Sequence, residues 1–574
     1  MAVGRFGCVL TALLILLSAC APPAQEDRRG SPAGDASAQR APKVMVASIF
    51  GVPPALDFRF VVSSNNAGYV ELAGLYSSKL TAYNDEGNLV PQLAENVPTL
   101  ENGLWRLLSD GTMETRMTIR RGTAWHDGTP VTTKDILFND EVYLDKDLPQ
   151  IVLTPRSFVD RMVAEDDRTI LLIWKQPYIQ ADVFAPGFLP AHLLEASYRE
   201  LNTSLTSHPW LSTEYVGNGP FKYKEFQPGA WVTVTAFEQY ILGRPKIDEI
   251  QVKFIPDTNT VIANMLSGAI DLTMGRGVSI SQGKQLKDGG WDGVVDITPN
   301  NWIYMFGQYI DPIDPVIADK RFLRGAWYAQ NRQEYVDQIQ FGYGGVADIM
   351  LSPSDPEYAR NIARIEAAGL RVSYDPRKAA QWFEQAGVTR GPDGLLRHTD
   401  TGQRLPPLEF RTTQDVQLSI QVLGAQAADL RQAGMEINEV VIPATRTADR
   451  PYRVTRPGFE QLRGGLGPAT LIGYFHSSKV PTPQNNYTTG NNPRYSNPQW
   501  DALLDKYAVT IPLPERNQIM SDMIYFMAEE LPQQPILYDA STVLVNKRVI
   551  GAGAHHGGEN GTQGWNPETW DIRS

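Results

Sequence analysis

Cysteine is almost missing from this chain. The 574 residues contain 2, Cys8 and Cys20, both within the first twenty. The rest can therefore form no disulfide, thiolate zinc site or iron–sulfur cluster, and it offers no cysteine nucleophile. Histidine is sparse too, with 7 residues and no two of them four apart as a helical metal pair. Positive charge is in deficit: the formal net charge is −12, so the footprint of a general nucleic-acid binder is lacking. Beyond the first twenty residues no run approaches the roughly 18 apolar residues of a membrane span, which excludes a polytopic membrane protein. No G-x-x-x-x-G-K-[ST] phosphate loop, H-E-x-x-H or G-x-S-x-G occurs. The 64 acidic residues are too many to single out a glycosidase pair without geometry. No cofactor, metal site or catalytic residue is expected from these motifs.

The chain is otherwise globular in composition, 42% hydrophobic and 20% charged, and long enough for about three to four compact units. With 41 Pro, 48 Gly, 12 Trp, 23 Tyr and 20 Phe it is rich in turns and large rings. That composition suits a loop-decorated binder better than a helical bundle.

One positive charge, Arg5, precedes an apolar run from Cys8 to Leu17. As a helix the run covers about 15 Å, half of a bilayer core of about 30 Å, so it reads as a secretory signal. Its end, Leu17-Ser18-Ala19-Cys20, resembles the lipobox of bacterial lipoproteins. The resemblance implies a signal peptide over 1–19, a lipidated Cys20 as mature N-terminus, and a membrane anchor outside the cytoplasm. Residues 20–42 are small, polar or Pro-rich and read as a flexible tether.

In the body, 43–50 alternates as a strand, Tyr69 to Leu80 reads as a helix, and Asp127-Gly128 as a turn. Thr132 and Asp135 resemble a capping box opening a helix through Leu144. Strands follow at 167–174, 231–237 and 247–257, then a helix and strand over 258–275. Asp375 and Pro376 open a helix that Gly387 closes. A β-α-β pattern spans 408–442, and a last helix spans 514–530, with Ile519, Met520, Met523, Ile524 and Met527 on its core face.

Six patches then fall into place together: RRGTAWHDGTPVTTKDILF (120–138), VGNGPFKYKEFQPG (216–229), IDEIQVKFIPDTNTVIANMLSGAIDL (247–272), DKRFLRGAWYAQNR (319–332), YDPRKAAQWFEQAG (374–387) and YSNPQWDALLDKY (495–507). In order and spacing they resemble the bacterial extracellular solute-binding proteins of the peptide/nickel type, family 5, which serve ABC importers. The resemblance implies an α/β, two-lobed periplasmic-binding-protein-like (type II) fold with an extra subdomain and a ligand cleft between the lobes. One lobe would comprise 43–80, 213–295 and 535–574, the extra subdomain 81–212, and the other lobe 296–534. The implied role is a monomeric, non-enzymatic receptor that hands an oligopeptide-like solute to ABC permease subunits.

Candidate ligand residues follow from the same resemblance: Ser64, Asn65, Asn66 and Tyr69 after the first strand, Arg411 near a ligand carboxylate, and Arg463, Gly464 and Tyr474 in the segment 459–478. Trp302, Tyr304 and Trp327 could stack on a ligand or belong to the core. The segment 459–478 departs from peptide-binding members in having no Asp after Glu460, the residue that would meet a peptide α-ammonium. That leaves longer or blocked peptides, oligosaccharides or another hydrophilic nutrient open. An extracytoplasmic hydrolase or a sensor stands as a reading from another class.

Overall fold

The alternating stretch at the start of the body forms the strand Val44–Ile49, inside a ten-stranded sheet. The structure, a computed structural model, describes residues 41–57, 59, 68–148, 156, 158–182, 187–275, 277–414, 417–443, 446, 449–465, 475–487, 490–555 and 562–573. The strand order is Ile437–Ile442, Leu408–Thr413, Phe459–Gly465, Val294–Phe306, Gln534–Val545, Leu272–Thr273, Val44–Ile49, Glu249–Phe254, Trp231–Ala236 and Phe221–Gln227. The α/β class read from the sequence is the class observed.

Two strands knit the halves of this sheet together. Val294–Phe306 and Gln534–Val545, of 13 and 12 residues, pair antiparallel along nearly their full length. At one end Val545 adjoins Leu272; at the other, Asn301 to Phe306 carry Gly465 to Glu460 on their free edge. The register slips between Pro299 and Asn301 and again between Ile303 and Tyr304. Such a slip interrupts the ladder and lets a strand pair bend.

The β-α-β pattern of 408–442 is present as two parallel strands with Leu408 opposite Ile437, joined by the helix Gln417–Gln432. That helix buries Val422, Leu423, Ala427 and Leu430 in one apolar cluster with Phe410, Phe459 and Ile303. A crossover helix is what a parallel pair requires. The expected caps form: the Asp375 carboxylate accepts from the N–H groups of Arg377 and Lys378, each at 3.0 Å, ahead of Pro376–Gln385. Asp135 accepts from the Thr132 N–H at 2.8 Å and starts Thr133–Leu144.

A separate four-stranded antiparallel sheet is built from Trp105–Leu107, Met113–Thr118, Thr169–Trp174 and Val159–Ala164. Its buried face, with Met113, Met117, Ile170, Leu172 and Trp174, belongs to one apolar cluster with Trp500, Met523, Ile524 and Met527. Those last residues lie on the paired helices Pro498–Val509 and Leu513–Glu530. The Ile179 N–H donates to the Ala508 carbonyl at 3.1 Å across the same seam.

The first helix is shorter than the sequence reading of Tyr69 to Leu80. It spans Tyr69–Tyr76 and ends in extended backbone at Ser77. The cause is tertiary: the Gly219 N–H takes the Tyr76 carbonyl at 3.0 Å, and the Ser78 N–H donates to Asn218 Oδ1 at 2.9 Å.

Candidate functional site

Near Asn301 to Tyr304, the two long strands and Phe459–Gly465 bring polar and aromatic side chains together. Arg463 stands opposite Ile303, and Asp539 opposite Asn301. Arg463 Nε donates to Asp539 Oδ2 in an ion pair whose side chains are 12% and 6% exposed. A carboxylate so deeply placed needs such a partner, since desolvation of a lone charge costs several kcal/mol. On the other face of the same strands, Trp302 and Tyr304 lie with ring centroids 4.9 Å apart. Gly464, opposite Trp302, makes room for them. A Cβ at 464 would come within 2.9 Å of Tyr304 Cε1. Both rings are buried, as is Trp327, whose Nε1–H donates to the Pro535 carbonyl at 2.8 Å.

Arg411 sits midway along Leu408–Thr413, buried, and opposite Glu460. Its Nε donates to Glu409, two residues away on the same strand face, and its Nη1 to the Tyr452 carbonyl at 2.7 Å. The guanidinium also lies 4.3 Å from the centre of the Tyr452 ring. Tyr69 is buried at the start of its helix, and its hydroxyl donates to the Leu56 carbonyl. Tyr76 donates to the same oxygen at 2.8 Å. Burial pushes both phenols well above their ordinary range, so both stay protonated as donors. The effect is to pin the chain at Leu56, just ahead of 58–67. Ser64, Asn65, Asn66, Tyr474 and Cys20 lie outside the described residues.

The structure thus joins Gly464 to Trp302 and Tyr304, and Arg463 to Asp539. Arg411 belongs to a neighbouring cluster with Tyr452. Asp539, Tyr452 and Arg456 were not singled out from the sequence. The one available signal was arginine density: Arg446, Arg450, Arg453, Arg456 and Arg463 fall in one short stretch. Two described cavities of about 560 Å³ lie elsewhere, one bounded by Arg332, Asp348 and Arg371, the other by Ala379, Phe383 and Asp429. Neither includes a residue singled out from the sequence as a ligand contact. Among the described residues no three His, Cys, Asp or Glu side chains group as a metal site.

One ten-stranded sheet with two long paired strands near its middle makes this an α/β protein, and its fold matches solved structures of periplasmic binding proteins. The model for "Bacterial extracellular solute-binding proteins, family 5 Middle" matches residues 88–479. The chain belongs to this family, whose members are extracellular solute-binding receptors rather than enzymes. It is 24% identical to the oligopeptide-binding protein AppA of Bacillus subtilis over 76% of this chain and 75% of that one. Five Brucella relatives, also 24% identical, are spanned for 64% of their own length. Among solved structures, an oligopeptide-binding protein of Thermus thermophilus complexed with a pentapeptide superimposes with a TM-score of 0.70 at 24% identity, covering 92% of this chain and 96% of that one. NikZ of Campylobacter jejuni in complex with Ni(L-His) gives 0.71 at 20%, covering 92% and 100%.

Proposed function

We propose that this chain is the substrate-binding lipoprotein of an ABC importer, capturing an oligopeptide-like solute in an interlobe cleft and delivering it to membrane permease subunits. The family match across 88–479 carries the reading. The name of the Bacillus relative, an oligopeptide-binding protein, favours the peptide class. In this reading 43–80, 213–295 and 535–574 form one lobe, 296–534 the other, and 81–212 the extra subdomain. The paired long strands are the hinge, with the slip at Pro299 and Asn301 as its bending point. Ser64, Asn65, Asn66, Arg463, Gly464 and Tyr474 line the cleft, while Tyr69 and Arg411 brace its walls. A lipidated Cys20 holds the monomer to the outer side of the membrane through 20–42.

Three measurements test this. Mass spectrometry of solute released from the purified protein is expected to give peptide masses, and X-ray scattering a smaller radius of gyration with saturating ligand. Released sugars with no peptide would favour the oligosaccharide reading, which the absence of Asp after Glu460 in 459–478 supports. Identical scattering profiles would refute hinge closure. Cys20→Ser is expected to move the protein from the membrane to the soluble fraction; unchanged fractionation would refute the anchor.

A further inference from the structure

The chain between the strands Ile437–Ile442 and Phe459–Gly465 presses a surplus of guanidinium groups onto one face of the sheet. Arg453 and Arg456 share a single carboxylate, Glu460, at 2.9 and 3.2 Å. Arg411 stands opposite Glu460 on the adjoining strand, paired with Glu409. Arg494 enters from the far side, its Nη1 donating to the Ile310 carbonyl at 3.4 Å. Arg456 and Glu460 are almost wholly buried, at 0% and 1% side-chain exposure. Four guanidinium groups therefore meet two carboxylates.

The surplus is felt inside the cluster. Burial first, then Arg411, Arg453 and Arg494, push Arg456 down to about 10 against the opposing pull of Glu460. The Nε groups of Arg453, Arg456 and Arg494 are buried without an acceptor. Like charges kept this close in a poorly solvated place favour an anion at the accessible side. That side exists. Arg446 lies 3.4 Å over the Tyr452 ring that also carries Arg411; its guanidinium is 47% exposed and pairs with Asp449 at 2.8 Å, so that with the rim included six guanidinium groups meet three carboxylates. Arg450, four residues on in the same segment, donates to the Tyr487 carbonyl at 2.9 Å and to Asn492 Oδ1 at 3.2 Å.

We propose that this cluster makes the receptor select a solute bearing two or more carboxylates, seated at the rim formed by Arg446, Arg450 and Tyr452. The inference rests on the receptor reading above and names the charge class of its solute. Guanidinium groups hold carboxylates in paired, directional hydrogen bonds, so two or more carboxylates can use a broad rim that a single one leaves half filled. The segment that lacks an Asp for an α-ammonium adjoins the same cluster, and Glu460 is already committed to Arg453 and Arg456.

The test is calorimetric titration of the full chain, freed of co-purified solute, with tri-glutamate, citrate, tri-alanine and tri-lysine. Tri-glutamate or citrate is expected to bind at least about tenfold more tightly than tri-alanine, and tri-lysine least tightly. The advantage is expected to shrink between about 20 mM and about 500 mM salt. The paired substitution Arg446→Gln with Arg450→Gln is expected to remove most of it while tri-alanine affinity and a cooperative melting transition are retained. Equal affinity for the three peptides, or a preference for tri-lysine, would overturn the charge class and leave the receptor reading standing. Heat from none of the four probes would overturn the charge class and, with it, the binding of free tripeptides.

Discussion

The Nε2–H of His126 donates to the carbonyl oxygen of Gly219 at 3.0 Å, across 93 residues of chain. On the other side of the ring the Gly217 N–H donates to Nδ1 at 3.1 Å, and the His126 N–H returns to the Gly217 carbonyl at 2.9 Å. The buried imidazole is thereby fixed as the neutral Nε2–H form. Two of the six family-like patches are thus one clasp, tying the turn ahead of Thr133–Leu144 to the entry of the strand Phe221–Gln227.

Gly219→Ala tests the clasp. A Cβ there would lie 2.4 Å from the Tyr76 carbonyl carbon and 2.5 Å from the Ser77 nitrogen, both backbone atoms. Backbone does not yield as a side-chain tip does, so overpacking of about 2–3 kcal/mol is expected. Denaturant unfolding should show a lower midpoint with an unchanged slope; a wild-type midpoint would mean that the Tyr76 segment moves freely.

His126 also sets an acid limit. Burial pushes its pKa down to about 4, against an ordinary 6.5. The unfolded chain takes up a proton near 6.5, whereas the folded chain resists until about 4. Stability is therefore full above 6.5 and falls as pH drops towards 4, by about 3 kcal/mol at most. Melting temperatures followed from pH 8 to pH 4 should show this loss, and His126→Gln should flatten it. An equally steep profile in the variant would place the loss on other groups.

Glu568 has the opposite sign. It lies in the short turn Pro567–Thr569, with Oε2 buried and unpartnered, and burial raises its pKa from 4.5 to about 7. Its contribution is present below 4.5 and is lost as pH rises through 7. Nearby, the Tyr240 hydroxyl and Ser78 Oγ share a hydrogen bond at 2.9 Å, and Tyr240 in turn is raised by burial and by the charge of Glu568. Glu568→Gln is expected to stabilise the protein by about 2–3 kcal/mol at pH 8 and to change little at pH 4.5. Equal melting temperatures of wild type and variant at pH 8 would refute the buried, costly carboxylate.

The sequence carried the local half of this architecture and little of the tertiary half. Alternation marked Glu249–Phe254 because that strand is half-buried with period two, whereas Val44–Ile49, a central strand, buries Ala47, Ser48 and Ile49 in succession. The caps at Thr132 and Asp375 were legible because a cap is a contact within four residues. Asp127-Gly128 reads as a turn and 216–229 as a family-like patch, yet nothing local says that the two grip each other. The helix end at Tyr76 was missed for the same reason, since Gly219 and Asn218 set it from afar. At the candidate site, the Arg411 partner Glu409 lies two residues away on the same face and could have been foreseen. The Arg463 partner Asp539 lies 76 residues away and could not.

That last pair separates scaffold from ligand contact. Removing Arg463 alone strands Asp539, a carboxylate with 6% exposure, and should cost about 3–5 kcal/mol. Replacing both, as Arg463→Met with Asp539→Leu, removes the charge and its partner together and should restore most of the stability. If Arg463 only holds the crossing strands, this double variant binds solute as the wild type does. If Arg463 also reaches the solute when the halves close, the double variant folds normally yet binds at least about tenfold more weakly, a loss of about 1.4 kcal/mol or more. A double-mutant cycle in melting temperature, read beside calorimetric titration on the same four proteins, distinguishes the two.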